Sequence, residues 1–407
     1  MNTPSPLALA GLKVVEFASY AAGPAAGKTL ANHGATVVHV ESRQRPDGFR
    51  LEYPPFKDGL PGIDRGGCFA YFNDSKHGVT LDLKHDSGLA LARRLVAWCD
   101  VVIENMRPGV MQRLGLGCTA LQQINPRLVM LSSCNMGQTG PRANTPGFGS
   151  QLSALAGFCE LTGQPDGPPM LLYGPYIDFI ASSLGTAAIL AALLRRQRSG
   201  RGACIDLAQY EAGLLFVAGA LLEHQRSGQV ATRAGNDDPE AAPHGAFRCR
   251  DDGWLALSCW SDDEFERLAA ALQQPALALE PHFMRHDQRR RHAPELEPLI
   301  AAWCVDRDAD AAAAALQQAG VHAHRVNTMA DLFSDPQLRH RGTWQRRRHA
   351  VIGEQRYLFP AFALSATPGA ITGAGPCLGA DNETVFRDFV GLDIAQLATC
   401  REGGAFG

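Results

Sequence analysis

Val14-Val15-Glu16-Phe17, then small residues from Pro24 to Asn32 closed by Gly34, then Thr36-Val37-Val38-His39-Val40: the order of these three stretches decides the fold. Two short β-branched runs on either side of a helix-length segment describe a strand, a crossover helix and a second, parallel strand. The alternation continues. A helix is predicted from Ser87 to Trp98, a strand at Val101-Val102-Ile103 and another at Leu128-Val129-Met130-Leu131. In such units the loops at the C-terminal ends of the strands form the ligand crevice.

The pattern changes after that. Gly137 to Pro175 is rich in Gly and Pro and reads as turns and loops, which often carry sites. A long helix is predicted from about Asp178 to Arg198, stopped by Ser199-Gly200-Arg201-Gly202, and a second from Leu207 to Arg226. The polar stretch Asn236-Asp237-Asp238-Pro239-Glu240 reads as a crossing between lobes. Beyond it come a strand at Trp254 to Ser258, helices near Asp262 to Leu272 and Ala309 to Ala319, and a strand over Val321 to Val326. The tail from Pro360 is again rich in Gly and Pro, with a short helix near Asn382 to Phe389. The expected fold class is therefore α/β, with a large Rossmann-like parallel-sheet lobe and a smaller α+β lobe. The expected division is 1–225, 226–340, and a segment 341–407 that returns to the large lobe.

The totals narrow the function classes. A chain of 407 residues with 45% hydrophobic and 19% charged residues folds around a large core and is not disordered. Its 38 Lys and Arg against 41 Asp and Glu give no support to a nucleic-acid or membrane-surface role. The 11 cysteines are scattered without a Cys-x-x-Cys pair, which suits buried thiols in a reducing compartment better than a disulfide framework. The N-terminus lacks a basic n-region and its apolar stretch is interrupted at Lys13, so no secretory signal is expected. The apolar stretch Ile180 to Leu194 contains Ser182, Ser183, Gly185 and Thr186, is too short to span a bilayer and reads as a buried helix. A cytoplasmic protein is expected.

Several motifs carry little chemistry. Gly23-Pro24-Ala25-Ala26-Gly27 sits where a dinucleotide loop belongs, but it has two glycines instead of three and Pro24 removes an amide N–H. Close helix packing explains its small residues better. Neither a Gly-x-Ser-x-Gly elbow nor a phosphate-cradling Gly-Lys-Ser/Thr loop occurs. His322 and His324 share one face of a strand with no third ligand at metal spacing, so no metal site is expected and both read as surface histidines. Arg289-Arg290-Arg291 and Arg346-Arg347-Arg348 read as a solvated face or an inter-subunit salt-bridge patch. Asp178, in Tyr173-Gly174-Pro175-Tyr176-Ile177-Asp178-Phe179, has the ordinary reading of a helix N-cap. Its apolar and aromatic flanks also suit a partly desolvated carboxylate, a better nucleophile than a hydrated one.

Taken in order, further segments resemble the family III CoA-transferases of the CaiB/BaiF type over nearly the whole chain. The first strand and turn are similar in Leu12 to Phe17 with Ala22-Gly23-Pro24, and the second strand in Gly34 to Glu41. Asn73-Asp74-Ser75-Lys76 with Thr80-Leu81-Asp82-Leu83 is similar to the family's Asn-x-x-Lys…Leu-Asp-Leu segment. The most specific stretch is Asp100-Val101-Val102-Ile103-Glu104-Asn105-Met106-Arg107-Pro108-Gly109 with Leu114-Gly115. Asn125-Pro126-Arg127-Leu128, Gln138-Thr139-Gly140-Pro141 and Asp335-Pro336-Gln337-Leu338 fit as well.

The resemblance implies a role for Asp178. Its carboxylate would attack the thioester of an acyl-CoA, giving a mixed anhydride and CoA thiolate. The thiolate would return to the aspartyl carbonyl, and a second acid would then collect the CoA. Coenzyme A is thus a substrate, with no tightly bound cofactor and no metal implied. By position, Tyr20, Ala21 and Ala22 would lie beside the pantetheine and thiol, Leu81 and Asn105 by the adenosine, and Arg43 and Arg113 by phosphates. Two departures stand out: Ser42 occupies a place where arginine is common, and Cys134-Asn135-Met136 replaces the frequent Ser-Gly-Phe/Tyr at the acyl pocket. Arg107 or Arg142 would clamp a second carboxylate. The family forms interlocked dimers, as homodimers or as heteromers with a homologous subunit. Within it the resemblance points to subunits that move CoA from succinyl-CoA to (R)-benzylsuccinate or a related dicarboxylate. Racemases of the same fold use a His/Asp pair, and no histidine lies between Asn105 and Gly115. A non-catalytic partner subunit is the other alternative.

Overall fold

Six parallel strands form the central sheet of the computed structural model, which describes residues 6–407. They are β1 (Lys13–Phe17), β2 (Thr36–Glu41), β3 (His77–Thr80), β4 (Val101–Glu104), β5 (Val129–Cys134) and β6 (Ala203–Ala208), in the order β3-β2-β1-β4-β5-β6. Alternate residues of each strand feed opposite layers. Val15, Val38, Val79, Val102 and Met130 pack with Leu91 and Leu95 of the helix Asp86–Trp98. Val14, Val37, Val101, Ile103 and Leu131 face the helix Ala22–Ala31 and the long helix Tyr176–Ser199. Burial on both faces explains why apolar residues dominate β1, β2 and β4, with Glu16, His39, Glu41 and Glu104 as the buried exceptions.

The β-strand Ala203–Ala208 overturns part of the expected helix Leu207 to Arg226, which is split into Gln209–Leu214 and Ala218–Ser227. Ala-Cys-Ile-Asp-Leu-Ala has weak strand propensity; its pairing along the whole length of β5 decides the matter. The stretch Ile180 to Leu194 belongs to a 24-residue helix, long and apolar enough to cross a membrane by length and composition alone. It is only partly buried: Ile189 and Leu193 pack on the sheet, whereas Leu194 is 62% exposed. Cys118 and Cys204 form a disulfide, against the expectation of free thiols; 86 residues apart in sequence, they stand 6.1 Å apart between Cα atoms. The other nine cysteines are free.

The chain divides into two compact units. The first holds residues 6–158, 171–229 and 337–407, including the antiparallel hairpin of β10 (Trp344–His349) and β11 (Gly353–Leu358). The second holds residues 159–170 and 230–336, so Asn236 to Glu240 lies inside it. Its sheet runs β7 (His244–Arg248), β8 (Trp254–Ser258), β9 (His322–Arg325), all antiparallel, covered by helices that include Asp262–Ala271 and Ala309–Gln318. The expected solvated run Arg289 to Arg291 fails at Arg289. That side chain is fully buried, donates to Asp262, Ala242 and Phe283, and stacks on Phe265.

Candidate active site

The turn after β1 starts the site. Tyr20 holds φ 61°, a left-handed conformation uncommon for a bulky residue. Its N–H donates to both carboxylate oxygens of Asp47 (3.0 and 3.2 Å), and its hydroxyl donates to Glu52 (2.9 Å). Its ring stands edge-on to Phe49, Tyr53 and Phe148. Ala21 and Ala22 are buried at the start of the following helix. Asn105, just past β4, clamps the turn from the other side: its amide donates to the Ser19 carbonyl (2.8 Å) and its Oδ1 accepts the Ser19 N–H (2.9 Å).

Behind the turn lies a buried charged network at the C-terminal ends of β1 and β2. Lys76 donates to both oxygens of Glu16 (3.0 Å each), to Asn73 (2.8 Å) and to the Pro24 carbonyl (2.8 Å). His39 Nδ1 lies 2.6 Å from Glu16. Burial alone would raise the Glu16 carboxyl, but Lys76 and His39 hold it below the usual range. The small residues of Gly23 to Gly27 serve this packing: a Cβ at Gly27 would come 1.9 Å from Glu16 Oε2. Arg50, fully buried, grips Glu41 with two nitrogens (2.8 and 2.6 Å), reaches Asp64 (2.9 Å) and lies over the Phe69 ring.

Asp178 is not an N-cap. It is the third residue of the long helix, whose cap position is Pro175. Its Oδ2 is buried and has no hydrogen-bond partner among the described residues. Burial pushes the carboxyl up to about 6, opposed weakly by its own backbone N–H. At neutral pH it is an ionised carboxylate with one oxygen buried and unpartnered, a condition that suits a nucleophile. Gly149 makes room for it: a Cβ there would stand 2.0 Å from Asp178 Oδ2 and 2.8 Å from the Pro175 ring. Gly149→Ala is therefore expected to displace Asp178 and lower activity about a hundredfold, and its overlap with the Pro175 ring should lower the melting temperature as well. Steady-state rates beside a thermal scan check this.

The residue before Gly149 joins the two halves, because Phe148 meets the Tyr20 ring at 5.5 Å. Asn135 braces the same loop by donating to the Gly147 carbonyl (2.9 Å), which gives the Cys134-Asn135-Met136 stretch a local role. Tyr20, Ala21, Ala22 and Asn105 thus form one cluster that reaches Asp178 through Phe148. Arg43 and Arg113 are exposed guanidinium groups without an ion-pair partner among the described residues. The Leu81 side chain is packed in the core. Arg107 and Arg142 are exposed. Sequence reading passed over Asp47, Gly149 and Phe148. The Asp47-Gly48 pair and Gly147-Phe148-Gly149 were the available signals, since both mark tight backbone.

Away from this cluster, His322 pairs with Glu264 (2.7 Å) and His324 with Gln317 (3.1 Å). His282, His292 and Glu295 bring three ligand atoms within 4.8 Å of one another. The two rings, however, stack at 4.3 Å and 8°, and one ion cannot lie in two parallel ring planes.

The model of CoA-transferase family III matches residues 9–382. The succinyl-CoA–D-citramalate CoA-transferase of Chloroflexus aurantiacus is 35% identical, over 97% of this chain and 98% of its own. The beta subunit of succinyl-CoA–L-malate CoA-transferase from the same organism is 32% identical, over 98% of each chain. A crystal structure of a CAIB/BAIF family protein from Brucella suis superposes with a TM-score of 0.86 at 31% identity, covering 95% of this chain and all of that one. With a family match across nearly its whole length and relatives above 30% identity, this chain belongs to CoA-transferase family III and is a CoA-transferase.

Proposed function

We propose that this enzyme moves CoA from succinyl-CoA to a second dicarboxylic acid through a covalent intermediate on Asp178. The observation that carries the covalent step is the buried, unpartnered Asp178 Oδ2. A thioester is already activated, so a carboxylate attacks it without a general base: the C–S bond breaks as the C–O bond of an anhydride forms. Released thiolate then attacks the aspartyl carbonyl and the first acid departs as a carboxylate. The acceptor carboxylate displaces CoA from that aspartyl thioester to form a second anhydride, and the thiolate attacks the acceptor's carbonyl, giving the new acyl-CoA and freeing Asp178. Succinyl-CoA as donor rests on what the D-citramalate and L-malate enzymes are named for, and those names favour short dicarboxylates as acceptors. (R)-Benzylsuccinate is the aromatic member of that class, and the Tyr20, Phe148 and Tyr53 rings offer it a surface.

Hydroxylamine trapping with succinyl-CoA, followed by peptide mass spectrometry, tests the covalent step. A hydroxamate on Asp178 is expected; turnover without it, or with the label on another carboxylate, refutes the reading. A panel of citramalate, malate, glutarate and benzylsuccinate then ranks acceptors.

The same proposal includes a dimer. Leu194, Phe216 and Leu222 are each more than 60% exposed on the long helix and the helical stretch that follows β6, apolar surface of the kind that partners cover. Light scattering is expected to give twice the 43.7 kDa chain mass, alone or on adding a homologous subunit.

A further inference from the structure

We propose that Asp47 is a positioning residue: its carboxylate locks the turn after β1 so that the Tyr20 ring stands as a wall beside Asp178. The inference rests on the reading of Asp178 as the acyl carrier, and it adds an interior residue that touches neither acid nor CoA.

Nearly everything that holds Tyr20 comes from one short segment. A left-handed tyrosine needs outside support, and the Asp47 oxygens supply it at 3.0 and 3.2 Å from the Tyr20 nitrogen. The ring lies flat against Gly48, where a Cβ would come 2.3 Å from it. Phe49 packs on its edge at 5.4 Å, and Glu52 accepts its hydroxyl at 2.9 Å. Asp47 is itself buried and hydrogen-bonded. Its N–H donates to Glu41 (3.0 Å), its Oδ1 also accepts the Phe49 N–H (2.8 Å), and Glu41 is gripped by Arg50. Burial brings the Asp47 carboxyl up to about 6, so it is ionised at neutral pH and both oxygens accept. On its far side the Tyr20 ring meets Phe148, and Phe148 precedes the glycine that lies against Asp178 Oδ2. The rigid path from the charged interior to the reacting oxygen is therefore Arg50, Glu41, Asp47, Tyr20, Phe148, Gly149. Asp47 is the link at which buried charge becomes a fixed backbone conformation.

A double-mutant cycle with Tyr20 tests this. Asp47→Ala is expected to lower kcat for CoA transfer about thirtyfold, with KM for succinyl-CoA changed less than about threefold. Tyr20→Ala should cost a similar factor. In the Tyr20→Ala background, Asp47→Ala should cost less than about threefold, because its effect passes through the ring. Equal losses from Asp47→Ala in both backgrounds overturn the assignment, since Asp47 then acts on something else. Asp47→Asn keeps one acceptor oxygen and should fall between wild type and Asp47→Ala; it also completes the cycle if the alanine variant does not fold. Absence of an Asp178 hydroxamate in the unmutated enzyme sinks the covalent reading instead. An additive cycle with that adduct present sinks only the role of Asp47.

Discussion

Asp178→Ala is expected to lower CoA transfer at least about a thousandfold, the scale seen when a covalent nucleophile is removed. The carboxylates of the buried network are not free to replace it: Glu16 and Glu41 are paired there, and Asp47 is spent on backbone N–H groups. The variant should nevertheless fold and melt no lower than wild type. Its lost oxygen had no hydrogen-bond partner, and burying an unpartnered charge opposes folding. The sign can be checked against pH. The folded Asp178 carboxyl lies near 6 and its unperturbed value is 3.8, so the native state holds the proton more tightly than the unfolded chain. Its contribution to stability is then lost as pH rises from 3.8 through 6. The melting temperature of Asp178→Ala relative to wild type should rise across that window and level off above it. Wild-type activity should move the opposite way, failing below about pH 6 as the nucleophile is protonated. Flat activity from pH 7 down to 5, or a variant retaining a tenth of the rate, defeats the assignment.

Lys76→Ala carries the largest expected effect on stability. The ammonium group makes four hydrogen bonds, two of them to a Glu16 carboxylate that is wholly buried. Removing one partner of such a pair costs about 3–5 kcal/mol because the other charge stays buried. In a chain of this size that lowers the melting temperature by roughly 4–6 °C. His39 remains beside Glu16 and softens the loss without replacing the bonds to Asn73 and Pro24. Replacing both members, as Glu16→Gln with Lys76→Met, should recover part of the lost stability. If Lys76→Ala melts within about 2 °C of wild type, the network is not what holds the strand ends together.

The strands at Val14 to Phe17 and Thr36 to Val40 were legible because a strand buried on both faces is mostly apolar, a local requirement that the paired Glu16 and His39 interrupt without hiding. Edge strand β6 was not legible, because Ala203 to Ala208 takes its strand character from β5. The Cys118–Cys204 disulfide was hidden for the same reason: spacing along the chain says nothing about two cysteines that folding brings together from 86 residues apart.

The site divides in the same way. By itself the sequence determined the parallel sheet, the loops at its strand ends, and Asp178 as a candidate, through a long series of ordered segments. It could not tell a helix cap from a nucleophile, since the same residue at the same helix start serves either purpose. The tertiary structure removed the cap reading, because Asp178 is the third residue of the helix and Pro175 holds the cap position. It set Gly149 against the Asp178 oxygen, left that oxygen without a donor, and placed the Tyr20 turn beside it through Phe148. The physical reason is desolvation: what raises this carboxyl is its burial with no partner for Oδ2, and that depends on what surrounds the residue in space.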